Sequence, residues 1–281
     1  MRRSATLIAL GLLAGLSGCA NNPVLDLTRP ASQTSREARE DASTRTPKAA
    51  AVVRVANASA RRGDWPLAAS LYRRALGLHS ENFEAATGLA TAFGKLGAHN
   101  DALEAWQHSL SLRPKDLDAL RGFGNTLIRI DQPEKALPYF EQALTKSNDP
   151  RLFSGIGVAS DMIGEHKLAQ SFYRSGLINA PKDLSLRNNL ALSLLFSGDP
   201  GEAVRLLRRV IADPQATKRH RANLALALVM AGETTAALSI SRMDLPADRV
   251  NERIAYFETL AAITEPKAAR IALRNHLRSG G

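Results

Sequence analysis

A pattern of glycine and alanine returns along most of this chain at a fixed interval, and that interval limits the fold to one small unit built many times. Gly63-Asp64-Trp65-Pro66-Leu67-Ala68 aligns with Gly97-Ala98-His99-Asn100-Asp101-Ala102, 34 residues further on. The match continues through Asp131 to Ala136, Gly164 to Ala169, Gly198 to Ala203 and Gly232 to Ala237, giving six units. A unit of this length cannot bury its own apolar face, so neighbours must stack on one another. Leu89, Phe93 and Leu96 recur at helical spacing, as expected of a side that faces a neighbouring helix. Gly63, Gly97, Gly164, Gly198 and Gly232 fall where the first helix of each unit ends, and glycine tolerates the left-handed conformation of a helix C-terminus. Ala90, Gly124, Gly157 and Ala191 are small where the two helices of a unit cross, and Pro114 and Pro181 lack the donor that a continuing second helix would need.

These columns resemble the tetratricopeptide-repeat (TPR) family, whose units are pairs of antiparallel helices. The resemblance runs through Leu89, Ala90, Phe93, Gly97, Ala102, Trp106, Leu110 and Pro114 in the second unit, and through Phe123, Gly124, Leu127, Ala136, Phe140 and Ala143 in the third. Ile156, Gly157, Gly164, Ala169, Tyr173 and Pro181 carry it in the fourth, and Leu190, Ala191, Leu194, Gly198 and Ala203 in the fifth. The ends are degenerate. The first unit, from about Ala49, keeps Val52, Val55, Ala56, Tyr72 and Ala75 without the closing proline, and the sixth has Ser241 where an aromatic or leucine is expected. Terminal units of an array need a polar outer face, so degenerate ends suit caps. The expectation is an all-α TPR solenoid over residues 49–281: about six helix-turn-helix repeats followed by capping helices near Arg249–Ile263 and Pro266–Arg278.

The first residues read differently. Arg2 and Arg3 precede an apolar run from Ala5 to Leu16, then Leu16-Ser17-Gly18-Cys19. This is a signal-peptide profile, with an apolar run well short of the roughly 20 residues that a spanning helix needs. Leu-Ser-Gly-Cys resembles the lipobox of bacterial lipoproteins, which implies cleavage after residue 18 and a covalent diacylglycerol and N-acyl lipid on Cys19. Two or more acyl chains anchor stably where one is marginal. Ala20 after the cysteine, by the same resemblance, implies sorting to the outer membrane, on its periplasmic face. Residues 19–48 are rich in Ser, Thr, Pro and charge, and read as a polar tether with too little apolar surface to offset its ordering entropy; a short helix is allowed around Ser35 to Asp41.

No residue cluster suggests catalysis or a metal. His79, His99, His108, His166, His220 and His276 include no pair at the helical zinc spacing and read as surface or packing residues. Gly122-Phe123-Gly124 and Gly155-Ile156-Gly157 lack the third glycine and the preceding strand of a dinucleotide fingerprint, so they read as close-packing glycines. The single cysteine is claimed by lipid. The chain is basic, with 37 Lys and Arg against 27 acids, yet its basic residues have no interleaved aromatic platform for nucleic acid. The expected activity is therefore binding of proteins rather than catalysis, with no cofactor beyond the lipid.

In a TPR array the first helix of each unit lines the concave face, which here would include Arg61, Lys95, Arg121, Asn125, Arg129 and Asn188. Arg121, Asn125 and Arg129 are four apart and share one helical stripe, able to hold a carboxylate or a peptide backbone. Leu192, Leu195 and Phe196 of the fifth unit would suit an amphipathic partner helix in the same groove. Lipobox, tether and repeat array together resemble TadD, the lipoprotein of the tight-adherence (Flp) pilus assembly system. That resemblance implies a pilotin-like scaffold whose partners are an outer-membrane secretin and other pilus-assembly components. Two alternatives stand beside it: an adaptor similar to NlpI that recruits cell-wall hydrolases or a protease, and a cell-wall or envelope-polymer enzyme subunit whose basic groove binds an anionic glycan.

Overall fold

The structure, a computed structural model, describes residues 31–263, with side chains from residue 44 onward. The signal segment, Cys19, the start of the tether, the helix expected at Pro266–Arg278 and His276 lie outside the described residues. Backbone contacts divide the chain into two units, Met1–Thr44 and Arg45–Gly281. Of the first unit, only the opening of helix α1 is described.

Thirteen helices and no strand are found among the described residues: α1 (Ala31–Arg61), α2 (Trp65–Leu78), α3 (Phe83–Leu96), α4 (His99–Leu112), α5 (Leu117–Arg129), α6 (Pro133–Leu144), α7 (Pro150–Ile163), α8 (His166–Asn179), α9 (Leu184–Phe196), α10 (Pro200–Ile211), α11 (Lys218–Met230), α12 (Thr234–Ser241) and α13 (Ala247–Ala261). None of these helices is long and apolar enough to cross a membrane. The chain is an all-α TPR solenoid of six helix pairs, with α13 packed against α11 and α12.

Helix α1 starts earlier and runs longer than the short helix allowed around Ser35 to Asp41 within the tether of residues 19–48. Ala31 to Lys48 is helical, Thr44 to Lys48 are exposed, and Ala49 is the first buried residue among those whose side chains are described. Scarce apolar surface argues against a packed core but not against a helix: no glycine interrupts residues 31–48, and Ala, Arg and Glu, good helix formers, recur in it.

Within the second unit, successive first helices touch: α3 meets α5, α5 meets α7, α7 meets α9, and α9 meets α11. The first helices therefore form the more closely spaced, inner layer. Two small-residue columns allow this approach. Ala68, Ala102, Ala136, Ala169, Ala203 and Ala237 of the second helices are all fully buried, as are Ala56, Ala90, Ala191 and Ala225 of the first. At Gly124 a Cβ would stand 2.8 Å from the Phe140 ring, and at Gly157 it would overlap the ring of Tyr173. Gly88, Gly122 and Gly155, two residues earlier in each unit, receive the ring of the preceding second helix: Tyr72, Trp106 and Phe140 in turn. Each of these aromatics thus enters a notch in the next unit. In the sixth unit Ser241 holds the ring position, buried and with its Oγ unpaired.

The inner helices all stop in the same way. The backbone N–H of Asp64, Ala98, Gln132, Glu165, Asp199 or Glu233 reaches back five residues to a carbonyl at 2.8–3.0 Å. The residue before it is left-handed: glycine in five units, and Asp131 with φ 65° in the third. Of the apolar stripe on α3, Leu89 is buried and Phe93 half-buried, while Leu96 remains 45% exposed at the helix end.

A bidentate ion pair joins α11 to the turn before α13: Arg221 Nε and Nη2 donate to Asp244 Oδ2 and Oδ1 at 2.8 and 2.6 Å. These hydrogen bonds, assisted by the charges of Arg221, Lys218 and Arg253, hold the Asp244 carboxyl below its ordinary range. A depressed folded-state pKa stabilises the fold above the unfolded value and is lost as pH falls through the folded one. The melting temperature is therefore expected to drop on acidification below about pH 4, where an unfolded aspartate starts to protonate. Arg221→Met should melt lower at neutral pH and lose less on acidification. Parallel Tm-against-pH curves for the two proteins would show that the pair contributes nothing to that dependence.

Candidate functional site

The outward side of α5 carries Arg121, Asn125 and Arg129 one turn apart, as the four-residue spacing requires. Asn125 and Arg129 are exposed; Arg121 is half-buried, and its Nη2 donates to Asp118 Oδ1 at 2.6 Å. Arg61 and Lys95 occupy the register of Arg129 on α1 and α3, so the first three units present one cation each near the end of the inner helix. Lys95 Nζ stands 5.8 Å from the centre of the Trp65 ring. In the register of Asn125 lie Asn57 and Thr91. Asn57 is engaged: it donates to Glu84 Oε1 at 2.7 Å and accepts from the Tyr72 hydroxyl at 2.5 Å. Beside this row is an open cleft of about 670 Å³ lined by Glu81, Glu84, Thr87 and Arg113, with the Arg113 guanidinium 4.2 Å above the Phe83 ring.

Four residues expected on the same surface are not brought there. Asn188 is 3% exposed, and its Oδ1 accepts from Asn223 Nδ2 at 2.7 Å, tying α9 to α11. Phe196 is 4% exposed and belongs, with Leu195, to the C-terminal core cluster; Leu192 is half-buried against that cluster. The physical reason is a change of the inner layer along the array. Val158, Leu192 and Leu226 replace the polar Asn57, Thr91 and Asn125, and in α11 seven consecutive residues, Asn223 to Val229, are buried. A helix apolar on every side is a buried helix. The open, polar part of the inner layer is thus confined to the first three units.

A buried polar cluster that the sequence does not announce lies at the middle of the array. Asp161 of α7 accepts from His166 Nδ1 at 2.7 Å, from Ser193 Oγ at 2.7 Å and from the Tyr173 hydroxyl at 2.9 Å. The one sequence signal is an aspartate three residues before the helix-ending Gly164, where an inner helix is otherwise apolar. Elsewhere, His108 Nε2 lies 2.8 Å from the Ser80 carbonyl and His220 Nδ1 accepts from the Thr217 N–H at 3.1 Å. Among the described residues no group of three or more His, Cys, Asp or Glu side chains is placed to hold a metal.

A tetratricopeptide-repeat profile matches residues 55–116, 87–151 and 188–241. The chain belongs to the tetratricopeptide-repeat family. Among curated proteins, the uncharacterized protein y4yS of Sinorhizobium fredii is 33% identical over 100 residues, covering 35% of this chain and 55% of that protein. The match thus spans about half of that relative's length. Among solved structures, PilW, described as a widely conserved type IV pilus biogenesis factor, superposes with a TM-score of 0.65 at 18% identity, over 74% of this chain and 98% of PilW. PilF of Pseudomonas aeruginosa gives 0.61 at 17% identity over 75% and 99% of the two chains. A TPR protein from Parabacteroides merdae gives 0.62 at 19% identity over 74% and 83%. At these identities the likeness establishes the fold.

Proposed function

We propose that this TPR protein is a lipid-anchored scaffold on the periplasmic face of the outer membrane that serves pilus assembly of the Flp (Tad) type, with a secretin or a related assembly component as its partner. The observation that carries the reading is the row of Arg61, Lys95, Arg121 and Arg129 on the open part of the inner layer, beside the exposed amide of Asn125. Such donors suit carboxylates and peptide carbonyls of a protein ligand. The fold shared with PilW, a pilus biogenesis factor by its description, and the Leu-Ser-Gly-Cys sequence at residues 16–19 support the same reading.

Affinity purification of the tagged native protein in mild detergent, with mass spectrometry of what co-purifies, tests the proposal. A secretin or other pilus component should be enriched, and Arg121→Glu/Arg129→Glu should reduce its recovery at least tenfold with the far-UV circular dichroism unchanged. Recovery of cell-wall hydrolases or a protease without any pilus component would replace the pilus reading with the adaptor reading. The anchor is tested separately: Cys19→Ser is expected to move the protein from the membrane fraction to the soluble fraction. Full membrane retention of that variant would defeat lipid anchoring at Cys19.

A further inference from the structure

The Arg221–Asp244 pair sits inside a larger group of cations. Helix α11 opens on Lys218-Arg219-His220-Arg221, whereas α5, α7 and α9 follow Asp116, Asp149 and Asp183, whose carboxylates accept from backbone N–H groups of their first turns. Cations at a helix N-terminus oppose the helix dipole, so this run costs stability where it stands. The start of α13 adds Arg249 and Arg253, four residues apart and hence on one side of the helix. Lys218, Arg221 and Arg253 all act on the Asp244 carboxyl, and Arg249 acts on Arg253, which gathers these side chains between α11 and α13. The acids among them are engaged: Asp244 accepts twice from Arg221, and Glu252 accepts from Arg249 at 2.8 Å. Asp248 is exposed and is not among the charges that act on Arg253. Arg253 is left half-buried with no hydrogen bond of its own among the described residues.

We propose that this cationic group is a second docking surface, for an acidic segment of a protein partner, with one carboxylate of that segment on Arg253 and others on Lys218 and Arg219. Charge sets the sign of the ligand: Lys218, Arg219 and Arg253 make no ion pair among the described residues, so positive charge is left over after the internal pairs. Shape sets its class. Lys218, Arg219 and Arg249 are exposed while Arg253 is set back, half-buried. A flat anionic bilayer would meet the exposed cations alone, whereas a protruding Asp or Glu side chain reaches Arg253 as well. The planar guanidinium fork matches such a carboxylate through two parallel hydrogen bonds. The surface belongs to the sixth unit and α13, and the basic row of Arg61, Lys95, Arg121 and Arg129 to the first three units. The inference therefore depends neither on that row nor on which assembly system the protein serves.

Two methionines allow a direct test on the full chain. Met243 adjoins Asp244 and is 64% exposed, so its methyl reports on this surface, while Met230 at the far end of α11 is the internal control. In a protein labelled with ¹³C at the methionine methyls, end-blocked octaglutamate should shift the Met243 signal saturably and leave Met230 in place. A neutral Gly-Ser octapeptide should move neither. Lys218→Glu/Arg219→Glu should weaken octaglutamate binding at least about tenfold, as the loss of two charge-assisted contacts implies. That exchange places acids at a helix N-terminus, where they are favoured, so the fold should hold. Arg253→Gln is the second variant and should weaken binding in the same direction. Arg121→Glu/Arg129→Glu changes the net charge equally but at a screened distance, and should leave the Met243 response within about twofold. The inference is overturned by a Met243 signal that stays still or moves in step with Met230, or by equal weakening in the two double variants. A Met243 shift caused by phosphatidylglycerol vesicles and not by octaglutamate would overturn it too, in favour of a membrane.

Discussion

Replacing Phe140 with alanine is expected to lower the unfolding free energy by about 3–5 kcal/mol, the range for removing a buried phenylalanine. Phe140 is fully buried, and its ring fills notches at Gly124 of its own unit and Gly155 of the next. A Cβ at those glycines would come within 2.8 and 2.6 Å of the ring, so both backbones lie against it and neither can close the gap by a side-chain movement. The loss also falls at one place in a linear array, whose stability is a sum of unit terms and nearest-neighbour interfaces. Weakening the central interface should separate the unfolding of the first units from that of the last. The protein carries its own probes for this: both tryptophans, Trp65 and Trp106, lie in the first two units, whereas far-UV circular dichroism reports on every helix. In urea the two signals should coincide for the native sequence and diverge for Phe140→Ala. A variant that unfolds in one coincident transition, with a midpoint barely changed, would mean that the glycine notches are not where the units are coupled.

The repeat could be read from the sequence because its marks are steric and local. A glycine at a left-handed helix end, an alanine at a helix crossing and a proline past a helix each act within a few residues, so Gly97, Ala102 and Pro114 report their own surroundings. Asn188 and Phe196 show where such reading stops. The register correctly places them on an inner helix, but only the three-dimensional structure shows that α9 and α11 are buried on nearly every side, with the amide of Asn188 spent on Asn223. The full extent of α1 was illegible for a different reason: scarce apolar residues argue against a packed core, not against a helix. The Asp161 cluster was illegible because its members come from α7, α8 and α9, at separations of 5, 12 and 32 residues that match no motif.

That cluster also divides the inner layer. Before it, the inner helices show polar side chains to solvent; after it, eight of the thirteen residues of α9 and seven of the thirteen of α11 are buried. Asp161 sits at the boundary, 8% exposed, with donors drawn from two units: His166 and Tyr173 from its own, Ser193 from the next. The carboxylate is therefore both a solution to burying three polar side chains and a link between neighbouring units.

Asp161→Ala should for that reason cost far more than the loss of one side chain. Three donors lose their acceptor together, and a buried donor left without one costs about 1–3 kcal/mol. Water entering from the cleft that His166 lines can serve its ring, so a total of about 3–5 kcal/mol is expected rather than the full sum. The decisive measurement is a double-mutant cycle in urea with Tyr173→Phe. Alone, Tyr173→Phe removes a donor from a carboxylate that retains two others, and about 1 kcal/mol should be lost. In the Asp161→Ala background the hydroxyl has already lost this acceptor, so the same change should cost less than it does alone, while the ring still packs against Gly157. The coupling between the two positions should then reach about 1 kcal/mol or more. If the two losses simply add, the hydroxyl and the carboxylate do not act together, and the cluster is a set of adjacent polar residues rather than a joint between units.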